Sequence, residues 1–176
     1  MRKVLYLFGV LTDADIEWMA RTGARRRLVD GQVLIREGQD VDALVLLLEG
    51  ELLVTAEDFG QIARLGVGEI VGEVSLVDSA PASATVTARG DGQALFLDRT
   101  TLLEKLDGDP GFGARFYRAL AIFLADRLRA TRPSRAARLS DDDPVLQDEL
   151  DVGIMDHVSA AGERFKRMLG IMSSMQ

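Results

Sequence analysis

Gly72-Glu73-Val74-Ser75 and Ser83-Ala84-Thr85, joined through Pro81 and Ala82, are the residues of this chain whose types and spacing suit chemistry. A glycine and an acid open a single helical turn, whose first amides, on Glu73, Val74 and Ser75, have no partner within the turn. A Pro-containing loop of small residues then presents the amides of Ala82, Ser83 and Ala84, and an alternating strand follows. Amides converging from two sides make a cradle for an anion, above all a phosphate. The Ser83 hydroxyl adds a donor, and the Glu73 carboxylate can accept hydrogen bonds from sugar hydroxyls. Glu73 could instead cap its own helix, and Ser83 and Thr85 could be ordinary turn and strand residues. Gly72 is a backbone residue under either reading. Ala82 separates the two, because it offers methyl packing where a binder of anions wants a cation.

Elsewhere the chemistry is sparse. His157 is the single histidine, and an imidazole without companions at metal spacing holds no metal. The absence of cysteine excludes disulfides and thiolate metal sites, and is compatible with a reducing cytoplasm. Asp141-Asp142-Asp143 reads as a solvated run rather than a calcium loop. The nucleophile-elbow, P-loop and dinucleotide fingerprints are all missing. No catalytic residue, metal or cofactor is expected.

Charge narrows the partners. The net charge is −7, and residues 141–176 hold eight acids against Arg164, Lys166 and Arg167. That balance argues against general nucleic-acid affinity, which rests on neutralising phosphates. One basic stretch exists, with Arg127, Arg129, Arg132, Arg135 and Arg138. It reads as a solvated helix end whose cations offset the C-terminal dipole. The basic pair Arg2-Lys3 precedes an apolar run, but the run meets Thr12-Asp-Ala-Asp15 without a small-residue cleavage site. No segment approaches the ~18 apolar residues of a membrane span. A cytoplasmic chain with no membrane contact is expected.

The elements that must position the cradle follow from periodicity and punctuation. Thr12-Asp-Ala-Asp15 is a capping-box-like start for a helix carrying Ile16, Met19 and Ala20 and ending near Gly23. From Leu28 to Phe96, short apolar runs are punctuated by glycines. Strands are expected at 25–29, 32–36, 43–49, 51–57, 61–65, 69–71, 83–89 and 93–98, the pattern of an antiparallel sandwich or barrel. Leu44–Leu48 and Leu52–Thr55 are expected to form a hairpin through Glu49-Gly50. Thr100 or Thr101 can cap a short helix through Leu106, broken by Gly108-Asp109-Pro110. A long helix over 112–131 carries Phe112, Phe116, Leu120, Phe123, Leu124 and Leu128 as a stripe, widened by Tyr117 and Ile122, and Pro133 ends it. Residues 132–144 read as a linker. An amphipathic piece follows at roughly 145–170, interrupted by Gly153 and Gly162.

The Gly72–Val86 stretch resembles the phosphate-binding cassette of cyclic nucleotide-binding domains, such as those of the catabolite activator protein and protein kinase A regulatory subunits. Gly31-Gln-Val-Leu-Ile-Arg-Glu-Gly38 and Ala43-Leu-Val-Leu-Leu-Leu-Glu-Gly50 are similar to that family's second and third strands, and the order of elements agrees from about 10 to 131. The resemblance implies an α+β fold, mainly β: an antiparallel eight-stranded jelly-roll barrel flanked by an N-terminal helix and C-terminal helices. It divides the chain into a domain over 1–131, the linker 132–144 and an acidic helical tail over 145–176. It further implies a ligand site at Gly72, Glu73, Val74, Ser83, Ala84 and Thr85, with Glu73 on the ribose 2′-hydroxyl and the long helix as a lid. The family's phosphate-pairing arginine falls at position 82, where this chain has Ala82. Arg36, Arg64 or Arg89 would have to supply that charge from a neighbouring strand.

Two functions follow. The first is a non-catalytic regulatory module that senses a cyclic nucleotide or other small anion, weakly, and signals by moving the closing helix. The second is a scaffold of the same fold that has lost its ligand. A transcription regulator of the activator type is disfavoured, because the 45 residues after Thr131 are acidic and glycine-interrupted where a recognition helix needs cations. The 112–128 stripe is broader than one barrel face requires, so a homodimer through 112–131 and an unidentified protein partner are expected, without DNA. A tail that folds back over the stripe within one chain would satisfy it equally.

Overall fold

Thr12 and Asp15 set the first helix in place. The computed structural model describes residues 8–130 and 152–174. Helix α1 spans Asp13–Thr22, and its capping box is complete: the Thr12 amide donates to Asp15 Oδ2 at 2.8 Å and the Asp15 amide to Thr12 Oγ1 at 3.3 Å. Asp15 also receives Nε and Nη2 of Arg115 at 2.7 and 2.8 Å, which ties α1 to a helix a hundred residues later. Burial alone would push this carboxyl up, but the Arg115 and Thr12 hydrogen bonds outweigh it and hold the group below the usual carboxylate range. Asp15→Ala should therefore cost about 2–4 kcal/mol at pH 7 in urea unfolding, since it removes a cap and strands a partly buried guanidinium. A lowered native pKa contributes stability above the unfolded value of about 4 and loses it as pH falls through the native one. The gap between wild type and variant should close below pH ~4, and a pH-independent gap would count against the ion pair.

Six strands follow: β1 (Ala24–Leu28), β2 (Val33–Ile35), β3 (Ala43–Ala56), β4 (Gly60–Leu65), β5 (Ile70–Val71) and β6 (Thr85–Asp98). They form one antiparallel sheet in the order β1-β6-β3-β4, with β2 on β6 and β5 on β3. The expected eight strands become six because two pairs are continuous. The 43–49 and 51–57 segments are both parts of β3, and 83–89 and 93–98 both lie in β6. The hairpin at Glu49-Gly50 is thereby overturned. Both halves of β3 pair with β6, from Ala43↔Asp98 to Thr55↔Thr85, rather than with each other.

Gly50, at φ 94°, bends β3 without reversing it, and a Cβ there would lie 3.1 Å from Asp91 O. The register shifts between Leu47 and Glu49 and again between Glu49 and Glu51. Such a bulge changes the phase of the pleat. Before it, Val45 and Leu47 join the inner cluster while Leu44, Leu46 and Leu48 face the helices; after it, Leu52 and Val54 face inward.

The cassette helix α2 (Glu73–Asp78) sits between β5 and β6. Helix α3 (Arg99–Gly108) is capped by Asp98, which accepts from the Thr101 amide at 2.8 Å, in place of Thr100 or Thr101. Helix α4 (Pro110–Ala130) begins at the expected break, with proline at its first position. Helix α5 (Val152–Ser174) runs through Gly162 without interruption. Its Ala161, Met168 and Met172 lie in the same cluster as Phe112, Phe116, Leu120 and Phe123 of α4. Arg164 of α5 donates to Asp13 Oδ1 and to Phe8 O, each at 2.8 Å. Helix α5 thus docks against α1 and Phe8. The linker 132–144, with Arg132, Pro133, Arg135, Arg138 and the acids 141–143, lies outside the described residues, as does the side chain of His157.

Candidate functional site

Local backbone fixes the cassette. Gly72 adopts φ 88°, and a Cβ on it would come within 2.6 Å of Ala43 O, so β5 can pass directly into α2 only at a glycine. The turn places Glu73 inside, 2% exposed. A cavity of about 500 Å³ opens beside it. Ile35, Val41, Val54, Ala63, Leu65, Val71 and Val86 supply apolar walls from five strands and one loop. Gly72, Glu73, Val74, Ser75, Ala82, Ser83 and Ala84 form the cassette side, and Arg127 from the end of α4 closes it.

Five of the six expected ligand residues, Gly72, Glu73, Val74, Ser83 and Ala84, therefore line one cavity together with Ala82. Thr85 does not join them, because its hydroxyl accepts from the Glu37 amide at 3.1 Å and holds the loop before it. The Ala82 amide is also spent. It donates to Gln39 O at 2.9 Å, while Ala82 O accepts from the Gly38 amide at 2.8 Å. The cradle loses that donor because the loop is stitched to residues 38–39 as an extension of the sheet. The Ala82 methyl packs into the inner cluster.

Glu73 makes no cap for α2. Its carboxylate is ion-paired with Nη1 of Arg127. Arg127 also donates through Nη2 to Ile70 O at 2.8 Å, lies 3.6 Å from Glu69 Oε2 and stacks over Phe123 at 4.6 Å from the ring centre. Arg127 is thus no part of a solvated basic end. Burial pushes the Glu73 carboxyl above its ordinary range, Arg127 opposes this, and Glu69 adds to the upward push. Arg127 and Glu69 are the residues that sequence reasoning missed. The available signal was position: Phe116, Leu120, Phe123 and Arg127 follow helical spacing, which sets the arginine on the buried stripe.

Of the three arginines expected to replace the missing cation, Arg64 lines the cavity, and Arg36 and Arg89 do not. Arg36 is exposed and absent from the cavity wall. Arg89 donates to Glu51 at 3.3 Å, and Arg64 Nε lies 3.9 Å from the same carboxylate. Arg64, paired with Leu53, lines the cavity beside Ala63 and Leu65. No cluster that could hold a metal occurs among the described residues. No helix among them is long and apolar enough to cross a membrane.

Comparisons with known proteins agree with this geometry. A family model described as the cyclic nucleotide-binding domain matches residues 25–109. An uncharacterized NTE family protein of Mycobacterium tuberculosis H37Rv is 27% identical over 128 residues, 73% of this chain. The chain spans only 21% of that relative. Among solved structures, the N-terminal domain of a transcriptional regulator from Streptomyces coelicolor A3(2) is 31% identical with a TM-score of 0.58, covering 81% of this chain and 99% of that one. A cyclic nucleotide-binding domain from Methylobacillus flagellatus KT shares the fold, with a TM-score of 0.67 at 22% identity over 80% of this chain and 85% of its own.

Proposed function

We propose that this chain, whose residues 25–109 match the family model of the cyclic nucleotide-binding domain, is a non-catalytic regulatory module of that family, holding a small ligand in the cassette cavity and signalling through α4. One observation carries this reading. The cavity's buried acid, Glu73, is also the anchor of the closing helix through Arg127. A ligand group that hydrogen-bonds Glu73 competes with Arg127, so occupancy and the position of α4 are linked. The Streptomyces neighbour, the N-terminal domain of a transcriptional regulator, supports a module of this kind.

A cyclic nucleotide or another small anion is the ligand the cassette outline suggests, and Ala82 limits its affinity. A charge-assisted bidentate pair contributes roughly 1.5–3 kcal/mol, about 10–100-fold in binding. From an assumed micromolar binder, cyclic AMP should bind with a dissociation constant above about 10 µM. Calorimetry with cyclic AMP and cyclic GMP reads this directly, and a sub-micromolar constant would sink it. Ala82→Arg should recover about 10–100-fold.

A second reading, a scaffold that has lost its ligand, draws on the burial of Ala82 in the inner cluster and the use of its amide within the sheet. No response of any nucleotide to Ala82→Arg would favour it. Under either reading we also propose a homodimer through residues 112–131. Tyr117 and Leu128, 45% and 70% exposed beside the buried stripe, support that contact.

A further inference from the structure

We propose that Arg64, on the edge strand β4, supplies from the mouth of the cassette cavity the cation that position 82 lacks. The inference rests on reading this cavity as the ligand site, and it names the charge that holds a small anion there. The charged residues lining the cavity are Arg64, Arg127 and Glu73, so cations outnumber acids by two to one. The two arginines differ in what they are free to do. Arg127 is bound to Glu73 and to Ile70 O and stacks over Phe123. An anion that drew it away without replacing the first bond would strand a carboxylate that is 2% exposed.

Arg64 is held more loosely. Its Nε lies 3.9 Å from Glu51 Oε1, at the limit of an ion pair, and Arg89 already donates to that oxygen at 3.3 Å. Both partners are half-exposed, and an exposed pair contributes little, so little is lost when Arg64 turns to another anion. Strand β4 ends the path β1-β6-β3-β4, and Arg64 stands there between Ala63 and Leu65 of the cavity wall. An arginine at such an edge lays its stem along apolar surface and keeps its charged head at the water boundary. The anion it holds sits at the mouth, with any apolar part against Val54, Leu65 and Val86. A cation that stays partly in water gives less than one enclosed by the cassette loop, in keeping with a cyclic AMP constant above about 10 µM.

A matched pair of dyes tests this on the full chain. N-phenyl-1-naphthylamine and 8-anilino-1-naphthalenesulfonate share their rings and N–H and differ by one sulfonate. In fluorescence titrations Arg64→Gln should weaken the sulfonate dye about 2–5-fold and leave the neutral dye unchanged. Arg64→Glu reverses the charge and should square that factor, to about 4–25-fold. Arg89→Gln removes a nearby charge that does not line the cavity and should leave both dyes unchanged. Ala63→Phe, on the cavity wall, should weaken both dyes several-fold, and Val74→Trp at the exposed rim serves as a second blocking variant should the first unfold. If the Arg64 variants spare the sulfonate dye, weaken both dyes alike, or act no differently from Arg89→Gln, with blocking still effective, the proposal falls and the cavity stands as a ligand site. If neither dye binds, or binding ignores both blocking variants, the ligand-site reading falls with it.

Discussion

Arg127→Met should lower the unfolding free energy by about 3–5 kcal/mol at pH 7, since removing one partner of a buried pair strands the other as an uncompensated charge. The stranded group is Glu73, 2% exposed, with Glu69 close behind. Methionine preserves the apolar stem against Phe123, so the loss reports charge more than packing. Its pH dependence has a definite sign. Burial already raises the Glu73 carboxyl and Arg127 is the group that restrains it, so the variant raises it further. Where the native pKa exceeds the unfolded one, the native state binds more protons and stability increases as pH falls. The deficit should therefore shrink between pH 7 and about 5, and Glu73→Gln should recover most of it in the double variant. A deficit independent of pH and unmoved by Glu73→Gln would mean that Arg127 acts through Phe123 and Ile70 O alone. The pairing would then have no part in linking cavity to helix.

The same arginine shows where sequence reading reaches its limit. Glu73 was legible because a glycine with a positive φ must precede it, and that requirement is local. Arg127 was not, because whether a cation at a helix end is solvated or turned inward depends on an acid 54 residues earlier in the chain. Helical spacing placed it on the stripe of Phe116, Leu120 and Phe123, yet its charge argued for solvent, and the buried acid decided between them. Ala82 was legible as a missing cation. Its spent amide was not, since the partner, Gln39 O, comes from a loop whose position follows from β2 pairing with β6.

The strand count failed for a related reason. Gly50 and the Gly90-Asp91-Gly92 triplet look like corners, because positive φ serves hairpins and bulges equally. Only pairing tells them apart. Both halves of β3 run along β6, so Gly50 shifts the pleat by one residue where a hairpin would have reversed the chain. The continuous apolar run Leu44–Leu48 carries the same information, being buried on alternate faces by helices and inner cluster. The end helices were easier. The Thr12–Asp15 box and the Gly108-Asp109-Pro110 break act within a single turn, and both are in place.

Met168→Asp should unseat α5 and cost about 3–5 kcal/mol in the full chain, the second large effect this fold implies. Met168 is 0% exposed in the cluster that also holds Phe8, Phe116 and Phe123, so a carboxylate there loses its water. The helix can escape by undocking, which caps the cost at what docking contributes. Ala161, Met168 and Met172 are buried on it, and Phe165 meets Phe8 edge-on at 5.6 Å. Burying an apolar side chain contributes roughly 1.5–3 kcal/mol, offset by the entropy of ordering the helix. Undocking also breaks the bonds of Arg164 and Arg167 to Asp13, which are partly exposed and add little. Light scattering then separates the two ways of covering the α4 stripe. If α5 shields it, the unmodified chain is a monomer and Met168→Asp associates, because Phe112, Phe116 and Phe123 have lost their cover. If the stripe makes a two-fold contact through Tyr117 and Leu128, a dimer is present before and after the substitution, and Leu128→Glu dissolves it. A change in stability below about 0.5 kcal/mol would show that α5 does not belong to this core.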